Sequence, residues 1–179
     1  MPKSLWVIEV TKDVVEALKS LHARVDTDAS KIAAKHGDRL QCRLGCKDCC
    51  VDELTVFEVE AERIRRNHGT LLREGAPHPK GACAFLDGDG GCRIYEDRPF
   101  VCRTQGLPLL WFEETEEGEI TESRDICPLN AEGEPLERLP HGACWTLGVV
   151  ELQLQALQAR FSDPNTRIAL RDLFEQRDA

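Results

Sequence analysis

The chain has 179 residues with 32 acids against 23 bases, a net charge of −9. An acidic surface of this kind repels phosphate backbones and argues against a nucleic-acid partner. No stretch approaches the roughly 18 apolar residues of a membrane helix, and the apolar start, Leu5 to Val10, is broken by Glu9 before it forms a signal core. The expectation is a cytoplasmic, single-domain protein without membrane contact. Nine cysteines in such a chain point to metal or redox chemistry in preference to a disulfide framework.

In chain order, Val14, Leu18, Leu21, Val25 and Ile32 recur at helical spacing, and Thr11 stands as N-cap of an amphipathic helix over 11–36. Gly37 ends it, and the loop that follows packs Cys42, Cys46, Cys49 and Cys50 into nine residues. Thr55-Val56-Phe57-Glu58 matches a capping box, which predicts a second helix opening there and ending near Gly69. Residues 82–86 and 92–95 are expected to be short strands joined by Asp87-Gly88-Asp89-Gly90-Gly91, a strong turn signal. The Asp87/Asp89 pair is not read as a calcium loop, because the position of the bidentate glutamate falls on Arg98.

Pro99 is placed at the first position of a short helix with Cys102 in its opening turn. Residues 109–126 alternate around Glu117-Gly118 as an exposed hairpin, with the acidic run 113–119 at its solvated tip. Leu147, Val150, Leu154, Leu157 and Phe161 mark a further helix. Ser162-Asp163-Pro164 then caps an expected last helix bearing Ile168, Leu170, Leu173 and Phe174, so that helices fill 142–177. The fold class expected is mainly α with short β-hairpins, an α+β domain organised around a metal-binding core over 42–127.

A soft metal or an iron–sulfur cluster needs thiolates converging on one point, and ligands two or three residues apart in a turn converge readily. Cys42-x3-Cys46-x2-Cys49 supplies three from one loop. Vicinal Cys49 and Cys50 do not readily aim at one atom, so one of them serves a second metal, a second iron of a cluster, or packing. The x3/x2 spacing also occurs in radical S-adenosylmethionine enzymes, but the flanks here are helical and no strand–helix–strand alternation follows. Cations sit beside the cysteines at Arg43, Lys47, Arg93 and Arg103, where they lower thiol pKa and offset thiolate charge.

The series Cys42-x3-Cys46-x2-Cys49-Cys50, Cys83-Ala84-Phe85-Leu86 and Cys92-Arg93-Ile94-Tyr95-Glu96-Asp97-Arg98-Pro99-Phe100-Val101-Cys102-Arg103 resembles the YkgJ-type cysteine-cluster family. That family is described as a zinc- or iron-chelating CxxCxxCC domain, and flagellin lysine methylases carry a related cluster. The resemblance runs from about Cys42 to Cys127, and its first gap is x3 where the family's name implies x2. Carried over residue by residue, it implies a metal-ligand set of Cys42, Cys46, Cys49, Cys50, Cys83, Cys92, Cys102 and Cys127, the last before Pro128.

Cys144 lies outside that pattern and reads as a buried thiol at a helix start. Arg98 and Arg103 are the candidate cofactor-binding residues: Arg98 either pairs with a carboxylate or donates to cluster sulfurs or an anionic substrate. Tyr95 and Phe100 are expected in the core around the site. The histidines, His22, His36, His68, His78 and His141, show no paired metal spacing and are read as non-ligands.

All-thiolate ligation admits an iron–sulfur cluster, of the 4Fe-4S type, or Zn²⁺. The cysteine triple and Cys127-Pro128 are closer to iron–sulfur loops, and the relation to the flagellin methylases leans the same way. The chain is therefore expected to hold an iron–sulfur centre that supports redox or group-transfer chemistry on an unknown protein or small-molecule substrate. The alternatives are a zinc-stapled structural or adaptor protein and an S-adenosylmethionine-dependent methylase, the latter without a glycine-rich nucleotide loop.

Overall fold

The computed structural model of the chain describes residues 10–43 and 45–175. The order of elements is α1 (Lys12–Ala33), β1 (Thr55–Phe57), α2 (Glu58–Glu74), α3 (Phe100–Arg103), β2 (Leu109–Glu114), β3 (Ile120–Asp125), β4 (Trp145–Thr146), α4 (Val149–Gln158), β5 (Arg167–Ala169) and α5 (Asp172–Glu175), with several short 3-10 turns between them. Helices dominate and two small sheets complete an α+β fold. No described helix is long and apolar enough to cross a membrane.

The apolar stripe of α1 does what its spacing predicts. Val14, Leu18, Leu21 and Val25 are buried, and with Phe57, Val59, Phe100, Trp145, Val150 and Leu154 they form the larger core. The Thr11 hydroxyl does not cap the helix amides; it bonds the Asp13 carboxylate. A second core lies on the other side of α2, where Ala61, Ile64 and Leu72 meet Val56, Phe85, Ile94, Leu170, Leu173 and Phe174. Within it the Phe85 and Phe174 rings pack with centroids 4.9 Å apart. Burial of each such side chain contributes about 1.5–3 kcal/mol.

Three expected elements are corrected. Thr55 does not cap a helix: 55–57 is a strand paired antiparallel with 167–169, Thr55 opposite Ala169. Helix α2 starts at Glu58, whose carboxylate accepts the Ser162 hydroxyl at 2.5 Å in place of closing a capping box. Nor does Gly69 end α2; the helix kinks at His68 (φ −124°, ψ 24°) and runs on to Glu74, with Gly75 donating to the Leu71 carbonyl.

The C-terminal segment is likewise not one helix. Ile168 sits in β5, and only the short α5 follows. A strand end that can pair with β1 outweighs local helix propensity here. The expected strands around Asp87–Gly91 reduce to one bridge, Leu86 to Cys92, closed by the turn. Pro99 is the N-cap of α3, one position before its expected place.

The β2–β3 hairpin matches its prediction, pairing Leu109 with Asp125 through Glu114 with Ile120. Its sheet gains a third strand unforeseen in the sequence, β4, which pairs parallel to β2 through Leu109 and Trp145.

Candidate metal centre

The loop carrying the first four cysteines is a pair of reverse turns. Cys46 N–H donates to Arg43 O at 2.9 Å and Cys50 N–H to Lys47 O at 2.8 Å, so each turn delivers a cysteine at its end. Gly45, at φ +87°, takes the left-handed conformation that the first turn requires. Cys83 N–H then donates to Cys50 O at 2.8 Å, which fastens the second cysteine loop to the first. The Asp87–Gly91 turn, held by Asp87 Oδ1 accepting the amides of Asp89 and Gly91, returns the chain so that Cys92 lies opposite Leu86. Cys102 arrives on α3, and Cys127 on the entry to the turn 128–130.

The thiols of these loops act on one another. Cys42 is held above the usual thiol range by burial of its sulfur, and further by repulsion from Cys46, Cys127 and Cys49. Cys102 is pushed well up by burial and by Cys83, Cys92, Glu60 and Cys49. Burial likewise raises Cys92, with Cys83 adding to it. Cys50 is raised because its S–H is given to Cys49, with Cys83 and Cys102 behind it, and Cys49 is lowered by the same bond. Cys42 thus faces Cys46, Cys49 and Cys127, Cys50 faces Cys49, Cys83 and Cys102, and Cys102 faces Cys83, Cys92 and Cys49. Among the described residues no three His, Cys, Asp or Glu side chains already stand closed at metal-binding separation, and all nine cysteines are free thiols.

Donors point at the sulfurs. The amide of Phe85 donates to Cys83 and that of Ile94 to Cys92, each two residues along the chain from the thiol it serves. Asn130 Nδ2 stands 3.5 Å from Cys42 Sγ and donates to Gly106 O at 2.8 Å, while its Oδ1 accepts Gln41 N–H at 2.7 Å. Cys42 is exposed as a residue, but its sulfur is tucked in: a Cβ on Gly106 would lie 2.5 Å from it. N–H donors to sulfur stabilise thiolates and tune the centres they ligate. The donor set, eight soft ligands with N–H donors on at least three of them, fits a thiolate-bound metal.

Of the sequence-predicted cations, Arg93 and Arg98 act on the thiols. Arg93 lowers Cys83 and Cys92 while donating to Ala84 O at 2.7 Å, and Arg98 lowers Cys92. Arg98 stacks on Tyr95 at 4.2 Å, donates to Tyr95 O and stands 3.6 Å from Asp26. Arg103 is buried and turned to Asp26 Oδ2 at 2.6 Å and Glu96 O at 2.9 Å. Phe100 is core as expected, whereas Tyr95 is 56% exposed and is corrected to a surface residue.

Cys144 is buried away from the other eight, against Leu110 and Leu139 with Arg124 beside it, and precedes a strand, not a helix. The histidines find other partners: His22 meets Glu60 and Arg63, His36 the Ala143 carbonyl, His68 Asp97 and His141 Glu122. His78 is held through its carbonyl by Arg171.

Four supporting residues carry no signal in the sequence. Asn130 is marked only by standing three positions after Cys127. Arg171, outside the cysteine segment, donates to Asp52 Oδ1 at 2.8 Å, His78 O at 2.8 Å and Ala82 O at 2.9 Å, and lowers Cys83. Asp52, held at about 2 chiefly by Arg171, also accepts Gly81 N–H. Glu60, 3% exposed, accepts the Phe100 amide at 2.6 Å and so sets the entry of the helix bearing Cys102.

A family model described as a putative zinc- or iron-chelating domain, CxxCxxCC, matches residues 41–128. The match covers just under half of the chain. The matched span holds all eight gathered cysteines and stops short of Cys144. The family's printed description supports metal binding by this CxxCxxCC segment. Helix α1, Asn130 and the C-terminal strap with Arg171 lie outside it. No curated protein and no solved structure matches the chain.

Proposed function

We propose that the chain holds thiolate-ligated metal in two four-cysteine sets, Cys42/Cys46/Cys49/Cys127 and Cys50/Cys83/Cys92/Cys102, and that the metal is iron–sulfur in preference to zinc. The observation that carries the reading is the arrival of Cys127, 78 positions beyond Cys49, beside a loop triple that could not supply a fourth ligand to the same point. A cysteine triple completed by a remote Cys-Pro is an iron–sulfur pattern. The Asn130 donor to Cys42 adds the kind of hydrogen bond that tunes a redox centre. Bound there, iron–sulfur would supply electron transfer, or a Lewis-acidic iron, to a partner or substrate still to be identified. Closing either set draws its sulfurs inward and releases their protons, so metal binding and loop ordering are one event.

The test is anaerobic purification with iron, sulfide and zinc analysis and an absorption spectrum. A brown protein with a charge-transfer band near ~400 nm is expected. Colourless protein carrying stoichiometric zinc would overturn the iron–sulfur preference and support a zinc-stapled fold, and protein that takes up neither metal would sink the reading whole.

A further inference from the structure

A cleft of about 350 Å³ runs between the second half of α1 and the segment 98–107. That volume lies within the range of small-molecule sites. Asp26, Arg98 and Arg103 form its polar wall, Ala29, Ala33 and Leu107 an apolar one, and Cys42 with Gly106 its inner end. It therefore opens onto one corner of the first cysteine set.

The charges of this cleft are unbalanced. Two guanidinium groups converge on a single carboxylate, Asp26, which is itself 43% exposed. Arg103 takes that carboxylate fully, through Nη1 at 2.6 Å, but its Nε is buried with no hydrogen-bond partner. Arg98 stands 3.6 Å from the same carboxylate, too far for a hydrogen bond, with Nη1 on Tyr95 O. An arginine offers five N–H donors in a planar fork that suits oxyanions. Together Arg98, Arg103 and Asp26 carry one positive charge in excess, in a chain whose net charge is −9. A desolvated excess of one cation beside apolar walls selects a monoanion with a short hydrocarbon body.

We propose that this cleft binds a small organic carboxylate, its head on Arg98 and Arg103 and its aliphatic part against Ala29, Ala33 and Leu107, with its near end at Cys42. The assignment of the ligand class rests on the arginine pair. That the ligand serves the metal centre rests on the reading given above. Asp26 is the resident anion of the pair and competes with the ligand for it.

Calorimetric titration of the isolated protein with butyrate, butyramide and inorganic phosphate tests this, with metal content measured on the same samples. Butyrate binds saturably and its neutral isostere butyramide at least tenfold more weakly. Arg98→Gln weakens butyrate at least tenfold, and Asp26→Asn, which removes the competitor and keeps an amide in its place, tightens it at least threefold. Equal binding of butyrate and butyramide, phosphate binding tighter than butyrate, or no binding in either wild type or Asp26→Asn overturns the proposal. Metal-loaded protein that ignores butyrate sinks the cleft alone, and protein that binds butyrate while taking up no metal sinks the metal reading and leaves the cleft standing.

Discussion

The two cysteine sets are built in opposite ways. The second is packed: Cys83 and Cys92 lie against the core of Phe85, Ile94, Leu173 and Phe174, and Cys102 is anchored through the Phe100 amide on buried Glu60. The first is polar and open: Cys42, on an exposed loop, is held by one amide side chain, and Arg39 ties the same region together through the carbonyls of Asn130 and Glu134, each at 2.9 Å. On the proposed reading, hydrophobic packing orders the second set without metal, whereas metal closes the first. A protein built this way has a rigid half that positions and a softer half that meets ligand, and the cleft opens on the softer half.

The largest expected effect separates the sets outright. Cys46→Ser should remove the metal of the first set and leave that of the second, halving metal content with little loss of secondary structure. Cys92→Ser should lose metal and also lower the unfolding midpoint, because ligand loss there falls within a packed core. Equal metal loss in both variants would show one shared centre and end the division. Cys144→Ser, outside both sets, should leave metal content unchanged.

Next in size is Phe174→Ala, which removes the ring packed on Phe85 and should cost about 3–5 kcal/mol by denaturant unfolding. The comparison predicts that metal in the second set is lost with it. Full retention of both metals would mean that packing does not organise that set. Arg171→Met keeps the length of the stem but removes the clamp on Asp52, His78 and Ala82. About 1.5–3 kcal/mol is expected from the lost charged hydrogen bonds, with faster alkylation of Cys83 by iodoacetamide. An unchanged alkylation rate would refute the clamp. Asn130→Leu should cost about 1–3 kcal/mol, and in iron-loaded protein it should lower the reduction potential of the first centre by removing a donor to Cys42. An unaltered potential would show that the contact is only structural.

How much of this was legible in the sequence follows from range. The stripe of α1 and the β2–β3 hairpin are local patterns of period or spacing, and they stand in the structure as expected. The proposed division of the thiols starts from the vicinal pair, since Cys49 and Cys50 do not readily aim at one atom, but which remote cysteine joins which depends on tertiary contacts. Thr55 and Ile168 misled for the same reason. Thr55 pairs with Ala169 and Ile168 with Val56, positions more than a hundred residues apart, and Thr55-x-x-Glu58 is a valid helix start until a strand partner is known. Asn130 and Arg171 are invisible to pattern because each acts through carbonyls and side chains brought near only by folding.

The smallest expected effect concerns the link between the cores. His22, 2% exposed, lies between Glu60 Oε1 and Arg63 Nη1, each at 3.0 Å. Arg63 is always a donor, so Nδ1 of His22 accepts, Nε2 carries the hydrogen and gives it to Glu60, and the ring is neutral. Burial, first of all, holds the His22 pKa below its ordinary value, against the pull of Glu60. The unfolded chain takes up a proton near pH ~6.5 while the folded chain resists it. The His22 contribution to stability should therefore fall as pH drops below ~6.5. The lowered carboxylates Asp52, Asp97 and Glu122 add their own losses only nearer pH ~4. Thermal midpoints from pH 8 to 5 check this, with His22→Gln as the comparison. The variant should lose the slope between pH 6.5 and 5 that the wild type shows, and identical slopes would place the pH sensitivity elsewhere than at the seam between α1 and α2.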